Sequence, residues 1–586
     1  MVQKGVFLRS ILACKWLKTL APLPPVKFVT FRTYFFVSIP DFFHKFNRFL
    51  EFYKPFAYRL LTYTFVLGYL IYQEKGMIRR CLVCALTVIS LATGFAAAKP
   101  LEVWIMPNGA NPQGILEQRL SLFEKETGLK TQVRVLDWGE AWSHITAALE
   151  GKAEAPAVLQ LGTTWISYFA SRGQLAKLDP YLKDIRPERF SKVSWKTTGT
   201  DGDPSTYSVP WFTDARALMA NVTLLNKVGI TAADVKTYEG FYHTLKKINS
   251  LNLRRNDGSM ARAFAFPGKS DWNIPHNFAP WVWSAGGSFV KKNEDGSWQS
   301  NLLDPNTIEG IAFYLNFILD SLVDKVSLRD NTAQVVQHFN NGELAFILNT
   351  TELVTQVRYE GSVGGLATSQ IGADGIRIMP VPEGKAGSVC FVGGSNLAIP
   401  ASQANNADAV KLLEFLTRDD NLDAYTKQIG FLPPVDKILK SWAKDSIYKV
   451  LIDHLEDGRS YPNIPEWTLI EGALVSLFCD IWSYLDIGGL YSEEAMYSTL
   501  LTYNQKINDI LHAPAGSTPP MQLDEFLAIW NKVTNHDHSK DSLAIATDSI
   551  TTEGTGGASR IGLTIFVFLV AVFSGFMVTF MRKRNK

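Results

Sequence analysis

Val209–Ile230, VPWFTDARALMANVTLLNKVGI, is the stretch on which the fold turns. An apolar run, VPWF, meets Asp214-Ala215-Arg216. A second apolar run, ALMA, follows, and LLNKVGI reads as a helix that closes at Gly229. A charged pair between two buried strands is costly unless it is paired or opens into a cleft. Two readings compete. One is a structural ion pair at a strand end. The other is a polar ligand contact where the chain crosses between two lobes. The order of the segments on either side favours the second.

Upstream, strands and helices alternate from Lys99. LEVWIM (101–106) reads as a strand, followed by the Gly/Pro/Asn loop PNGANPQG. ILEQRLSLFEKETG reads as a helix with Leu116, Leu120 and Phe123 on one face and a stop at Gly128. TQVRVL (131–136) is the next strand, residues 140–150 the next helix, and AVLQL (157–161) a buried strand. This βαβαβ order predicts a parallel sheet with helices on both faces. Ligands on such sheets sit beyond the carboxyl ends of the strands. That places Asn108–Gln113 and Gly162–Trp165 at the rim.

The 586 residues, 46% apolar and 19% charged with a net charge of +2, allow two to four domains. The balance and the lack of a basic stripe argue against nucleic acid. Residues 1–76 are aromatic and basic, with Asp41, Glu51 and Glu74 as their only acids. In 77–98, Arg79-Arg80, an apolar run to Phe95 and Ala96-Ala97-Ala98 form a signal-peptide pattern. A signal normally begins a chain, so translation is expected to start at Met77, with 1–76 a mis-assigned upstream segment. Residues 534–560, rich in Thr, Ser, Asp and Gly, read as a flexible linker. Ile561 to Met581 carries no charge and, as a helix, spans about 30 Å, one hydrocarbon core. The basic tail 582–586 sets the preceding domain on the outer face. A permanent anchor and a processed sorting tail both fit this pattern. Cys390 and Cys479 lie in the mature region, either bonded to each other or as buried thiols.

Several segments then follow one another in a recognisable order: VWIMPNGAN and LFEKETGLKTQVRV; AVLQLGTTWISYFASRGQLAKLDPYL; SVPWFTDARALMAN; VVQHFNNGELAFIL; FVGGSNLAIP; GFLPPVDKIL; YPNIPEW. In this order the chain resembles the extracellular solute-binding proteins of ABC transporters, of the maltose-binding-like carbohydrate family, over about residues 100–515. The resemblance implies an α/β, two-lobed periplasmic-binding-protein fold (type II) with hinge strands, to which the sequence adds the C-terminal transmembrane helix. The body would be 99–533, with lobe 1 at about 101–211 and 390–433 and lobe 2 at about 218–389 and 439–509. It implies capture of a sugar or related polyhydroxylated solute by lobe closure and delivery to ABC permease subunits. The protein would sit at the periplasmic or extracellular face, held to the membrane by the C-terminal helix, with no cofactor and no metal. A ligand-sensing module coupled to a membrane receptor or sensor kinase is the alternative, and a glycosidase on a similar frame a third reading.

The expected ligand-binding residues follow. Thr164 and Trp165 stand at a strand's carboxyl end, where an indole face stacks on a sugar ring and a hydroxyl bonds its edge. Asp214 and Arg216 mark the first crossover. Asn108 and Asn111 offer amides from the first loop, and plain turn chemistry is the competing reading. Trp272 or His276 would form the second lobe's aromatic platform, with Trp281 and Trp283 nearby expected in the core. Gly394, Ser395 and Asn396 lie on the return crossover. Trp467 caps the cleft or packs. Where the family carries a Gly and an aromatic after its second-lobe strand, this chain has Asn349-Thr350-Thr351-Glu352. Glu352 there favours a more polar or cationic ligand over a long maltodextrin. No HExxH, GxSxG or phosphate-loop lysine motif occurs.

Overall fold

Strand β1 (Leu101–Ile105) pairs in parallel with β2 (Thr131–Val135) on one side and β3 (Val158–Gly162) on the other. A computed structural model describes residues 99–534, apart from 110, 255–257, 259, 269–270, 359–370, 372–374 and 515–520. The upstream segment, the signal pattern, the linker beyond 534, the apolar run 561–581 and the basic tail lie outside the described residues.

The helix Pro112–Thr127 begins where Asn111 accepts from the Gly114 amide and ends at Gly128, whose φ of 74° only glycine adopts readily. Its Leu116, Leu120 and Phe123 cover one face of the sheet. The helix Trp138–Leu149, capped by Asp137, covers the other through Ala141 and Ile145. So far the βαβαβ reading holds, with boundaries shifted by one to three residues.

The first sheet is closed by two antiparallel strands, β4 (Ser208–Ala215) and β11 (Val392–Ala398), in the order β2-β1-β3-β11-β4. Only Arg216 separates β4 from β5 (Ala217–Asn221), which belongs to a second sheet. That sheet runs β10 (Ile376–Met379), β5, β9 (Leu344–Asn349), β6 (Arg262–Phe264). A short hairpin, β7 (Val290–Lys292) with β8 (Trp298–Ser300), stands apart. The chain thus leaves the first lobe through β4, within the opening stretch, and returns through β11, within the segment FVGGSNLAIP.

The second lobe's core is aromatic and helical. Trp281, at 0% exposure, packs edge-on against Phe317 and face-on against Tyr314. Phe278 stacks on Phe478 with ring centres 3.7 Å apart. Trp281 and Trp283 are core residues, as expected. The helix Leu523–Thr534 buries Phe526 and Trp530 in the same core, so this lobe extends beyond the expected return at about 509. Trp467–Leu485 is long and apolar enough to cross a membrane by composition. Ile470, Leu474, Leu477, Phe478 and Ile481 instead bury it in this core. Cys390 and Cys479 are both thiols, not joined to each other.

Gly310 marks where the helix Pro305–Leu319 crosses Ile274–Ser284. A Cβ there would stand 2.6 Å from Val282 Cα and 2.8 Å from the Trp281 carbonyl oxygen. Gly310→Ala gains about 1 kcal/mol of helix propensity but forces two packed backbones apart, which costs about 1–3 kcal/mol. The clash is with backbone and cannot be relieved by a rotamer, so a net loss in thermal midpoint is expected. An unchanged or raised midpoint would show that the crossing has slack.

Candidate functional site

Between the two sheets, at the carboxyl ends of β1–β3, lies a cavity of about 700 Å³. The first lobe contributes the loops after its strands. Asn108 follows β1, Trp138 and Trp142 follow β2, Gly162 ends β3 and Thr163–Trp165 follow it. The second lobe contributes Trp272, Asn273 and His276, the segment Leu348–Glu352, and one face of Trp467–Leu485. On that helix Thr468, Leu469, Glu471, Gly472 and Val475 line the cavity, all but Leu469 on the i, i+3, i+4, i+7 stripe of one face.

Four indoles form much of the wall. Trp165 meets Trp142 edge-on at 5.3 Å and Trp138 edge-on at 5.8 Å. Trp138 stacks across the cleft on Trp272, with centres 5.7 Å apart and planes 22° apart. Trp272, 50% exposed, touches His276 edge-on in turn. A second link between the lobes is the Thr468 hydroxyl, which donates to the Thr164 carbonyl at 3.0 Å.

Beneath the first-lobe rim lies the fully buried Gln160. Its Nε2 donates to Ser395 Oγ at 2.8 Å and to Asn108 Oδ1 at 3.2 Å, while its Oε1 accepts from Asn108 Nδ2 at 2.9 Å. Asn108 Nδ2 also donates to Tyr425. Both amide protons of Asn108 are therefore committed inside the lobe. Ser395 accepts from Gln160 and keeps its own proton to donate. Gly394 lines the cavity through its backbone. With φ at 133°, a Cβ would lie 2.2 Å from the Phe212 carbonyl oxygen, so β11 can lie against β4 here only with glycine.

Arg216 is 4% exposed. One of its nitrogens is 3.9 Å from Asp214 Oδ2 and also donates to Asn273 Oδ1. Asn273 is itself held, since its Nδ2 donates to Thr332 Oγ1 at 3.0 Å and its backbone amide to Asp271 at 2.8 Å. Asp214 Oδ1 and Arg216 Nε have no partner.

The other acids are buried too. Burial pushes the Asp214 carboxyl above its usual range, against the pull of Arg216. Glu352 is pushed up to about 7 by burial and by the negative charge of Asp214, offset in part by Gln356 and the Gly109 amide. Glu471 is pushed up to about 7 by burial, offset in part by the Thr164 hydroxyl. Glu471 Oε1 lies 3.3 Å from His276 Nε2, and His276 Nδ1 lies 3.0 Å from the Tyr461 hydroxyl. Burial, with the Arg216 charge adding to it, holds His276 well below its usual pKa and so neutral.

Nine of the expected residues thus surround one cavity: Asn108, Thr164, Trp165, Asp214, Arg216, Trp272, His276, Gly394 and Ser395. Three stand elsewhere. The Asn111 side chain caps the helix Pro112–Thr127, the turn chemistry that competed with the ligand reading. Asn396 is buried inside the first lobe and donates to the Thr197 carbonyl and to Ser208 Oγ, each at 3.0 Å. Trp467 is 1% exposed and stacks on Tyr461 at 4.3 Å, facing away from the stripe Thr468–Val475. Trp138, Trp142 and Glu471 were not anticipated. The strand-end rule that selects Trp165 also selects Trp138 after TQVRVL, and the polar stripe on an apolar helix marks Glu471. Among the described residues, no three His, Cys, Asp or Glu side chains gather as a metal-ligand set.

The profile of the bacterial extracellular solute-binding proteins matches residues 106–423. The diacetylchitobiose-binding protein DasA of Streptomyces coelicolor is 26% identical over 381 residues, 65% of this chain and 83% of that protein. In structure, a solute-binding protein of Thermotoga lettingae bound to α-D-tagatose superposes with a TM-score of 0.60 at 19% identity. That match covers 71% of this chain and 100% of the other. Maltose-bound MalE3 of T. maritima gives 0.59 at 18% identity, covering 70% and 99%. The profile match takes in more than half of the chain and runs through the first lobe, both crossover strands and the second sheet. What it matches is the two-lobed body itself, and the chain belongs to the bacterial extracellular solute-binding proteins.

Proposed function

We propose that this chain is the substrate-binding component of an ABC uptake system. It closes its lobes on a sugar or related polyhydroxylated solute at the outer face of the membrane and passes it to permease subunits, without covalent chemistry. The observation that carries this reading is the cavity between the lobes, walled by Trp138, Trp142, Trp165 and Trp272 and set with polar groups from both sides. Indole faces stack on the apolar faces of pyranose rings, while Ser395, Asp214 and Arg216 offer a donor, an acceptor and a fork for hydroxyls. Closure is coupled to binding because the wall is complete only when the lobes meet, so a ligand touching both favours the closed form. The ligands named for the relative and the structural neighbours are carbohydrates, which supports the same reading. The apolar run 561–581 would hold the domain beside its permease and raise its local concentration there.

Titration of the purified chain with tagatose, maltose and diacetylchitobiose, followed by calorimetry and indole fluorescence, tests this. At least one carbohydrate should give a saturable heat and a fluorescence change, with the sugar recovered unaltered. Trp165→Ala should weaken binding about tenfold or more, the loss of one stacked ring. Absence of saturable binding across a wider carbohydrate panel would refute the proposal, and steady consumption of the sugar would make the protein an enzyme.

A further inference from the structure

We propose that the cavity selects an amino sugar carrying a free ammonium group over the neutral sugar of the same shape. This rests on the sugar-binding reading above and narrows it to a chemical class. Three carboxylates from three separate elements face the cavity: Asp214 on β4, Glu352 after β9, and Glu471 on the helix Trp467–Leu485. Among the described lining residues Arg216 is the only Lys or Arg. With His276 neutral, the ionised site carries two net negative charges.

Acidity alone would not make a ligand site, and three further features point to one. Arg216 lines the cavity, its side chain is 5% exposed, and its Nε has no hydrogen-bond partner. A buried donor without a partner suits a hydroxyl or ring oxygen of a bound solute. Asp214 Oδ1 and Glu471 Oε2 are buried and unpartnered as well, and they suit a donor. Around them stand the four indoles, whose faces attract cations most strongly where water is excluded. A solute that presents oxygens to Arg216 and an ammonium group to the acids satisfies all three orphaned atoms. A neutral sugar leaves the acids either protonated or repelling one another. A phosphate or carboxylate on the ligand would meet like charge.

Proton balance adds a signature. Glu352 faces Asp214, Gln356 and the Gly109 amide, and Glu471 faces His276 and Thr164, with Tyr461 behind the imidazole. Near pH 6 both acids hold their protons in the empty cavity. An arriving ammonium favours the ionised forms, so binding releases protons to solvent. An amine of ordinary basicity, with a pKa near 8, keeps its own proton at this pH.

The test uses three β-1,4-linked disaccharides that differ chiefly at carbon 2: the glucosamine dimer, diacetylchitobiose and cellobiose, with ethanolamine as a non-sugar amine. Calorimetry on the purified chain at pH 6, in two buffers of different ionisation enthalpy, reads affinity and proton release together. The expected result is a glucosamine dimer at least tenfold tighter than either neutral disaccharide, with measurable proton release for it alone. In Glu471→Gln that preference should fall below threefold. A neutral disaccharide binding as tightly, or no proton release with the dimer, overturns this inference and leaves the sugar reading standing. Ethanolamine binding without any disaccharide overturns both, as does silence from every probe.

Discussion

Replacing Arg216 with alanine should lower stability by about 3–5 kcal/mol, and by more at pH 8 than at pH 5. Arg216 is the single residue between β4 and β5, and its backbone amide donates to the Phe391 carbonyl at 3.1 Å. Its guanidinium joins Asp214 of the first lobe's sheet to Asn273 of the second lobe. At 3.9 Å from Asp214 the ion pair alone is a modest attraction. The larger effect is what its loss leaves behind, since Asp214 would remain buried with no cation beside it. Arg216 holds the Asp214 pKa down against burial. Without it, the folded-state pKa of Asp214 rises further above its unfolded value. A carboxyl raised in this way contributes least once the pH has passed its folded pKa, so the deficit widens as the pH increases. Asp214→Leu combined with Arg216→Met should recover much of the loss, because removing both charges removes the desolvation cost with them. Urea denaturation at pH 5 and pH 8 reads both effects. A loss below about 1 kcal/mol, equal at the two pH values, would mean that the pair behaves as if solvated.

The same stretch shows why some of the site could be read from the sequence and some could not. The crossover was legible because a charged pair, Asp214 and Arg216, interrupts two apolar runs with no turn-forming Gly, Pro or Asn between them, so the runs do not read as a hairpin. The stops at Gly128 and Gly229 were legible because a left-handed C-cap is a local requirement. Asn111 was misplaced although its signal was local too: an Asn directly before Pro112 is a helix cap more often than a rim residue. Asn396 failed for another reason. β11 shifts register between Ser395 and Asn396 against β4, and an irregularity there breaks the alternation that would say which side chain faces the cavity. Of the two readings of Trp467, capping or packing, helix phase selects packing. Once the helix is phased by Ile470, Leu474 and Leu477, Thr468, Glu471 and Gly472 fall on another face. The partners that make Glu471 unusual, His276 and Thr164, are about 195 and 307 positions away in the chain. No local pattern reveals that meeting.

Glu471→Gln should leave stability almost unchanged at pH 5 and raise it by up to about 3 kcal/mol at pH 8. Burial lifts the Glu471 carboxyl from 4.5 to about 7. A carboxyl whose folded pKa is raised contributes stability fully below its unfolded value and loses it as the pH climbs to the folded one. The window is therefore pH 4.5 to 7. Glutamine does not titrate and keeps the shape and a donor towards His276 Nε2, so the wild type falls behind it across that window. Glu124, on the first lobe's surface, supplies the opposite sign. Lys130 and the amide and hydroxyl of Thr131 hold it down at about 2, so its contribution is present above about 4.5 and lost as the pH falls towards 2. Glu124→Gln should destabilise at pH 7 and converge with the wild type in acid. The two variants measured by thermal denaturation from pH 2 to 8 must diverge from the wild type in opposite directions as the pH rises, Glu124→Gln below it and Glu471→Gln above it. A Glu471→Gln curve that tracks the wild type at every pH would mean that water or a counter-ion reaches the carboxyl in the empty cavity. A curve that diverges as described means that the empty protein bears the cost of an acid at its centre. A ligand that repays this cost on closing gains affinity from strain already stored in the site.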